Sequence, residues 1–497
     1  MSIPITELTV AQTHELFERG ELTSEALVKR YLDRIAAYDD AGPELGAVVT
    51  VNEDAQRCAA ELDEAFAADG PVGPLHGVPV LLKDQVQTAG TATTYGSEAF
   101  AEFVPETDAT IVTRLREAGA IILAKTNMPD WGSGFVGYSS VAGQTKNPYD
   151  LDRDPGGSSA GTGAGLAANL GLVGVGSDTG GSVRVPSAYC NLYGLRVTTG
   201  LISRDGMSAM ISRQDTAGPM ARTLEDMVRL LDVLEGYDTA DETTAGTVHN
   251  RDQTPYAAHL DADGLAGRRI GVLREAFGAA DNPAAAPVTP VVEAAIDRMS
   301  SAGADIVDPV SIDDLAARVD RTSLYAYQAK HDITSYLADL SGAPVESVDN
   351  LYETGQFHDA LELFHKIAGG PDDPGSDPAY WERVAAQASF RRAIERTHAE
   401  HDLDAIVFPD VQVVPPEYTD YYTGDVTREE FNTNTFIASQ SGCPGLSMPA
   451  GFTDDGLPVG VELLGVPYSE PRLLAMAAGY DHVTDARRPP ETAPPLS

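Results

Sequence analysis

The chain opens with apolar residues at helical spacing, each run set behind a residue able to cap it. Thr9 precedes a run through Leu16 and Phe17. Thr23 or Ser24 precedes Leu27, Val28, Tyr31, Leu32 and Ile35, which share one helical face. Residues 54–68 continue the helical pattern. The period then changes: residues 77–83 form a short apolar run ending on Lys83, which reads as a buried strand. Asp108 is placed to cap a helix through Ile111, Leu115 and Ala118, closed by Gly119, and residues 121–125 form the next strand. This alternation predicts an α/β fold.

Residues 132–206 are rich in glycine and serine, yet they hold strand material at 172–175. Thr223 caps a helix with Leu224, Met227, Val228, Leu231 and Leu234 on one face. Residues 238–264 are polar and read as a surface excursion. Strands at 270–273 and 306–307 flank a helix begun by Thr289 and Pro290, with proline in its first turn. Residues 311–402 read as mostly helical, broken at 369–371. Strands return at 405–408, 445–448 and 459–464, and a helix over 470–482 follows. The proline-rich stretch 487–497 is expected to fray. Strand material at both ends, with no linker between, predicts one continuous sheet and a single domain over 1–497. Within it, 1–70 is an N-terminal helical segment, 71–235 a core, and 311–402 a helical insertion.

Composition changes this picture little. The 497 residues are 42% hydrophobic and 22% charged, ordinary for a globular protein. No run approaches the roughly 20 apolar residues of a membrane span, and the start lacks a secretory pattern, so a cytoplasmic protein is expected. Cys58, Cys190 and Cys443 are too few and scattered for a disulfide framework or a C-x-x-C site. The charge is another matter. Acids number 75 against 34 basic residues, a net of −41, and only Lys29, Lys83, Lys125, Lys146, Lys330 and Lys366 are lysines. Dispersed carboxylates with scarce lysine predict a halophilic protein, because a Debye length of about 3 Å at 1 M salt screens their repulsion. The same charge argues against direct nucleic-acid binding.

Several chemistries can be set aside. His398 and His401 share a helical face, but in a charged, solvated stretch, so no metal site is expected. There is no Walker loop and no G-x-S-x-G elbow. The Gly163, Gly165 and Ala168 pattern follows a polar run and not a strand, which weakens a dinucleotide reading. What remains is specific. Two small-residue turns, 156–163 and 176–187, carry hydroxyls where backbone can approach a ligand closely. The amides around Gly180, Gly181 and Ser182 could form a nest for a negative oxygen. Lys83 ends a buried strand, and a buried lysine tends to lose its proton and become a base.

These segments, with 77–84, 124–129, 218–226 and 449–460, resemble the amidase signature family, and the likeness covers most of the chain. The charge suggests a haloarchaeal member. The resemblance implies an α/β fold in which one large mixed β-sheet is sandwiched between layers of α-helices. It matches Ser182 to the nucleophile, Ser158 to a bridging serine that follows a cis peptide bond, and Lys83 to the base. The amides of Thr179, Gly180, Gly181 and Ser182 match the oxyanion hole, and Ser159, Asp178 and Arg184 match positions that support the loops. Ala160 and Gln85 depart from the family's usual residues, a difference expected to bear on loop packing only. Cys190 is expected to be a small core residue.

The implied activity is hydrolysis of a small-molecule carboxamide through an acyl-enzyme, with no metal or organic cofactor. The alternative is the glutaminase component of a tRNA-dependent amidotransferase, which hands ammonia to a partner. Residues 324–408, with Tyr325, Tyr327, Tyr336 and Trp381, are expected to shape the pocket. They do not look like a compact glutamine-binding stretch, which favours an enzyme working alone. A homodimer is left open.

Overall fold

The computed structural model describes residues 4–251, 254–279, 282–423 and 434–496. Where sequence pattern and capping chemistry agree, the elements form as expected. Thr9 makes a capping box with Gln12 at the start of Val10–Glu18. The Thr23 hydroxyl accepts from Ala26 N ahead of Ser24–Tyr38, and that of Thr223 accepts from Asp226 N ahead of Leu224–Leu234. Asp108 does not cap. The helix Thr110–Glu117 begins behind Ala109, and the Asp108 carboxylate instead accepts from Ala89 N and pairs with Arg116.

Eleven strands build one mixed sheet in the order β1-β3-β2-β6-β8-β7-β12-β13-β11-β9-β10. These are β1 (Val48–Val51), β2 (Pro79–Lys83), β3 (Ile121–Thr126), β6 (Val173–Ser177), β7 (Tyr193–Arg196), β8 (Ala217–Ala221), β9 (Arg269–Leu273), β10 (Asp305–Val310), β11 (Ala405–Pro409), β12 (Gly445–Phe452) and β13 (Pro458–Leu464). A separate hairpin joins β4 (Tyr138–Ser139) and β5 (Gly143–Gln144). Strands β2, β3 and β6 run parallel, with Leu82 beside both Lys125 and Val175. Their carboxyl ends, Lys83, Thr126 and Ser177, therefore emerge together, the edge at which open α/β sheets bind ligands.

Side-chain alternation divides the two faces of the sheet. On β12 and β13, Leu446, Met448, Val461 and Leu463 join the apolar cluster that includes Val288, Val292 and Ile296 of Val288–Ser301. Ser447 and Glu462 point the other way, to Asp410 and to Arg184 of Arg184–Tyr189. The helix Ala160–Ala167 lies on β2 and β6, and its glycines serve packing. A Cβ on Gly163 would press on Pro186, and one on Gly165 on Leu81. That accounts for the glycine pattern that mimics a dinucleotide loop.

Residues 311–402 are mostly helical: Leu315–Thr322, Tyr325–Asp339, Val348–Thr354, Glu362–Ala368 and Pro378–His401. The stretch expected to fray is held instead. Arg34 donates to Ala493 O and Pro494 O, Thr492 donates to Pro148 O, and Arg488 lies over the Phe452 ring. Among the described residues no helix is long and apolar enough to cross a membrane.

Candidate active site

Lys83 is the last residue of β2 and is wholly buried. Its Nζ donates to Ser158 Oγ at 2.7 Å and to Ser177 Oγ at 2.8 Å, and Ser177 Oγ donates to Gln85 Oε1 at 2.8 Å. Burial drives the Lys83 pKa down from 10.5 to about 7, a shift that Asp178 and Asp215 only partly oppose. Its neighbours are therefore hydroxyls, and its amine is poised between charged and neutral near neutral pH. Lys125, the other wholly buried lysine of this edge, differs. It donates to Val86 O and Thr93 Oγ1 and faces Asp84 at 3.6 Å, which ties it to a carboxylate.

Ser158 follows a cis peptide bond from Gly157 and is 3% exposed. Ser182 is 5% exposed, and Ser159 N donates to Ser182 O at 3.2 Å, tying the two serine loops together. Among the described residues no hydrogen bond joins Ser158 Oγ to Ser182 Oγ. Such contacts commonly tighten only around substrate. Gly181 adopts φ +134, where a side chain would be strained, and a Cβ there would run into Thr435 Oγ1. That hydroxyl donates to Gly180 O at 2.6 Å. The amides of Thr179, Gly180, Gly181 and Ser182 donate to no acceptor among the described residues. Amides without a protein acceptor are free to donate to the oxygen of a bound molecule.

The loop is clamped from behind. Asp178 takes both Arg184 Nε and Nη2 at 3.0 Å and Arg196 Nη1 at 2.9 Å. Burial favours the neutral acid, but the two guanidiniums overcome it and hold Asp178 at about 2. Arg184 also reaches Glu462 at 2.8 Å and Thr435 O at 2.8 Å. Gln214 Nε2 donates to Thr179 O at 2.7 Å, and the Thr179 hydroxyl donates to Asp215 at 2.6 Å. Tyr325, Phe436 and Phe135 stand where a Cβ on Gly180 would go, forming an aromatic wall, while Met210 and Met128 flank Gly132 beside Ser158 Oγ.

The structure thus gathers Lys83, Ser158, Ser159, Asp178, Thr179, Gly180, Gly181, Ser182 and Arg184. Gln85 does more than pack a loop: it anchors the hydroxyl that holds Lys83. Of the aromatic residues expected to shape the pocket, only Tyr325 reaches this wall. Tyr336 bonds to Gln87 and Tyr95, Tyr327 lies under Arg383, and Trp381 is 51% exposed. His398 is buried and bonds its Nδ1 to Ile394 O. Cys190 is buried with its Sγ against Pro155 O, and burial pushes its thiol pKa up.

An 11-stranded mixed sheet carrying a buried lysine and two serine loops at one strand edge defines an α/β enzyme of the hydrolase kind. The chain belongs to the amidase family, whose model "Amidase" matches residues 26–474. It is similar to the A subunit of glutamyl-tRNA(Gln) amidotransferase from Symbiobacterium thermophilum, 34% identical over 504 residues, 96% of this chain and 97% of that protein. Among solved structures it is similar to native peptide amidase from Stenotrophomonas maltophilia, 37% identical with a TM-score of 0.87, covering 98% of this chain and 99% of that one. The corresponding glutamyl-tRNA(Gln) amidotransferase subunit from Thermotoga maritima superposes with a TM-score of 0.77 at 25% identity, covering 99% of each chain. These relatives are bacterial, so they lend nothing to the haloarchaeal origin read from the charge.

Proposed function

We propose that the protein hydrolyses a carboxamide C–N bond through Ser182, Ser158 and Lys83, releasing ammonia or an amine and a carboxylate. One observation supports this most: a lysine buried among hydroxyls, beside a loop whose four amides donate to no acceptor among the described residues. Neutral Lys83 accepts the proton of Ser158, and Ser158 accepts that of Ser182 as Ser182 Oγ attacks the amide carbon. The carbonyl oxygen gathers negative charge, which the amides of Thr179, Gly180, Gly181 and Ser182 stabilise. Ser158 then protonates the departing nitrogen as the C–N bond breaks. Water repeats the sequence on the ester of Ser182, freeing the acid and restoring the serine. The rate should rise with pH through about 7 and then level, because only the neutral amine can take a proton.

The likeness to peptide amidase, higher in both identity and TM-score than that to the Thermotoga maritima protein, supports an enzyme that works alone. The curated relatives support a second reading, the glutaminase component of a tRNA-dependent amidotransferase. Ammonia release by the purified chain separates them, assayed in molar potassium chloride against peptide, aliphatic and aromatic amides and against glutamine. Turnover of a non-glutamine amide by the chain alone favours the first. Activity only on glutamine, and only with partner proteins, favours the second. Neither ammonia nor an amine from any amide under either condition contradicts both.

A further inference from the structure

Three exposed arginines that form no salt bridge among the described residues share one open cavity, in a chain where acids outnumber bases 75 to 34. The cavity has a volume of about 330 Å³ and lies behind the oxyanion loop. Arg213, Arg391 and Arg392 line it with Gln214, Gln387 and Ser441, and none of the described residues lining it is Asp or Glu. None of the three arginines forms a salt bridge among the described residues. Two are fixed through Nε alone: Arg391 Nε donates to Ser441 O at 2.6 Å, and Arg213 Nε donates to Tyr380 OH at 3.3 Å. Gly442, at φ +71, permits the Arg391 approach, since a Cβ there would stand 2.5 Å from Arg391 Nη2. The Nη groups of both arginines donate to no acceptor among the described residues, and the Arg392 side chain makes no hydrogen bond there. The carbonyls that would repel an anion are already covered, Ser439 O by Arg196 and Ser441 O by Arg391.

We propose that this cavity binds a phosphate-bearing small molecule, its oxyanion gripped by Arg213, Arg391 and Arg392. Three guanidinium forks suit a tetrahedral dianion, which offers an oxygen to each, better than a single carboxylate, which has two oxygens in one plane. A net charge of −41 disfavours a long polyanion over a small ligand. The position matters as well. Gln387 Nε2 donates to Gln214 Oε1 at 2.9 Å, and Gln214 Nε2 donates to Thr179 O at 2.7 Å. The ligand sits two hydrogen bonds from the loop that carries Ser182.

The test is calorimetric titration of the full chain with inorganic phosphate. Potassium chloride is adjusted to hold ionic strength constant at the lowest value that keeps the native dichroism. Saturable 1:1 binding is expected in the wild type. Arg392→Gln should weaken it at least tenfold, as should Arg213→Gln, while Arg392→Lys should fall between wild type and glutamine. The Arg392 side chain makes no hydrogen bond among the described residues, so its replacement should leave dichroism unchanged. Absence of saturable binding by phosphate would overturn the proposal. So would equal affinity in the wild type and both glutamine variants, or tighter binding of acetate than of phosphate.

Discussion

Replacing Lys83 with methionine keeps the length of the side chain and removes its amine, and the consequence should depend on pH. Burial lowers the amine from 10.5 to about 7 in the folded protein, while in the unfolded chain it stays near its ordinary value of about 10.4. Between these values the unfolded chain binds a proton that the folded chain does not, so folding stability rises with pH across that window. Below pH 7 both states are protonated and the full penalty stands. Above 10.5 both are neutral and it vanishes. At about 1.4 kcal/mol per pH unit, the full penalty is about 5 kcal/mol. Lys83→Met removes it. The variant also loses the bonds to Ser158 and Ser177, but that loss contributes equally at every pH where those hydroxyls do not titrate. The unfolding free energy of wild type minus variant should therefore climb by about 3 kcal/mol from pH 6 to pH 9. Urea unfolding followed by circular dichroism in molar potassium chloride reads it directly. A difference that stays flat across this range would show that Lys83 is not depressed, and would remove it as a base at neutral pH.

Two further outcomes follow from the same geometry. Gly181→Ala should lower kcat by about 100-fold while the fold is retained, since the added Cβ meets Thr435 Oγ1 and displaces amides of the oxyanion loop; an unchanged kcat would show that these amides do not hold the oxyanion. Dilution from molar potassium chloride to about 0.01 M lengthens the Debye length from about 3 to about 30 Å. With a net charge of −41 the chain should then lose its native dichroism, and full structure and activity in dilute buffer would refute the halophilic reading.

Legibility in the sequence followed locality. Lys83 could be read because a short apolar run ends on it, and Thr9, Thr23 and Thr223 because capping chemistry is local. The serines stand out because they lie on paired glycine-rich turns that resemble a family pattern. Strand β8 escaped notice. Its Ala-Gly-Pro-Met-Ala run shows no alternation, and a proline argues against a central strand, yet it lies between β6 and β7. Its Gly218 is small because Leu195 O and Val183 press on it. The residues that brace the site were hidden for a different reason. Gln85 meets Ser177 across 92 positions and Thr435 meets Gly180 across 255, contacts set only by the packing of the sheet. The end of the chain read as frayed because proline-rich composition says nothing of Arg34 waiting 459 positions away.

The central claim is that Ser182 becomes acylated. Mass mapping of the protein after reaction with a fluorophosphonate tests this most directly, because the reagent leaves a stable adduct on an activated serine. A single adduct on the peptide containing Ser182 is predicted, forming faster as pH rises through about 7, and absent from Ser182→Ala although that variant keeps native dichroism. An adduct on Cys190 or on any other residue, or undiminished labelling of Ser182→Ala, would contradict the account.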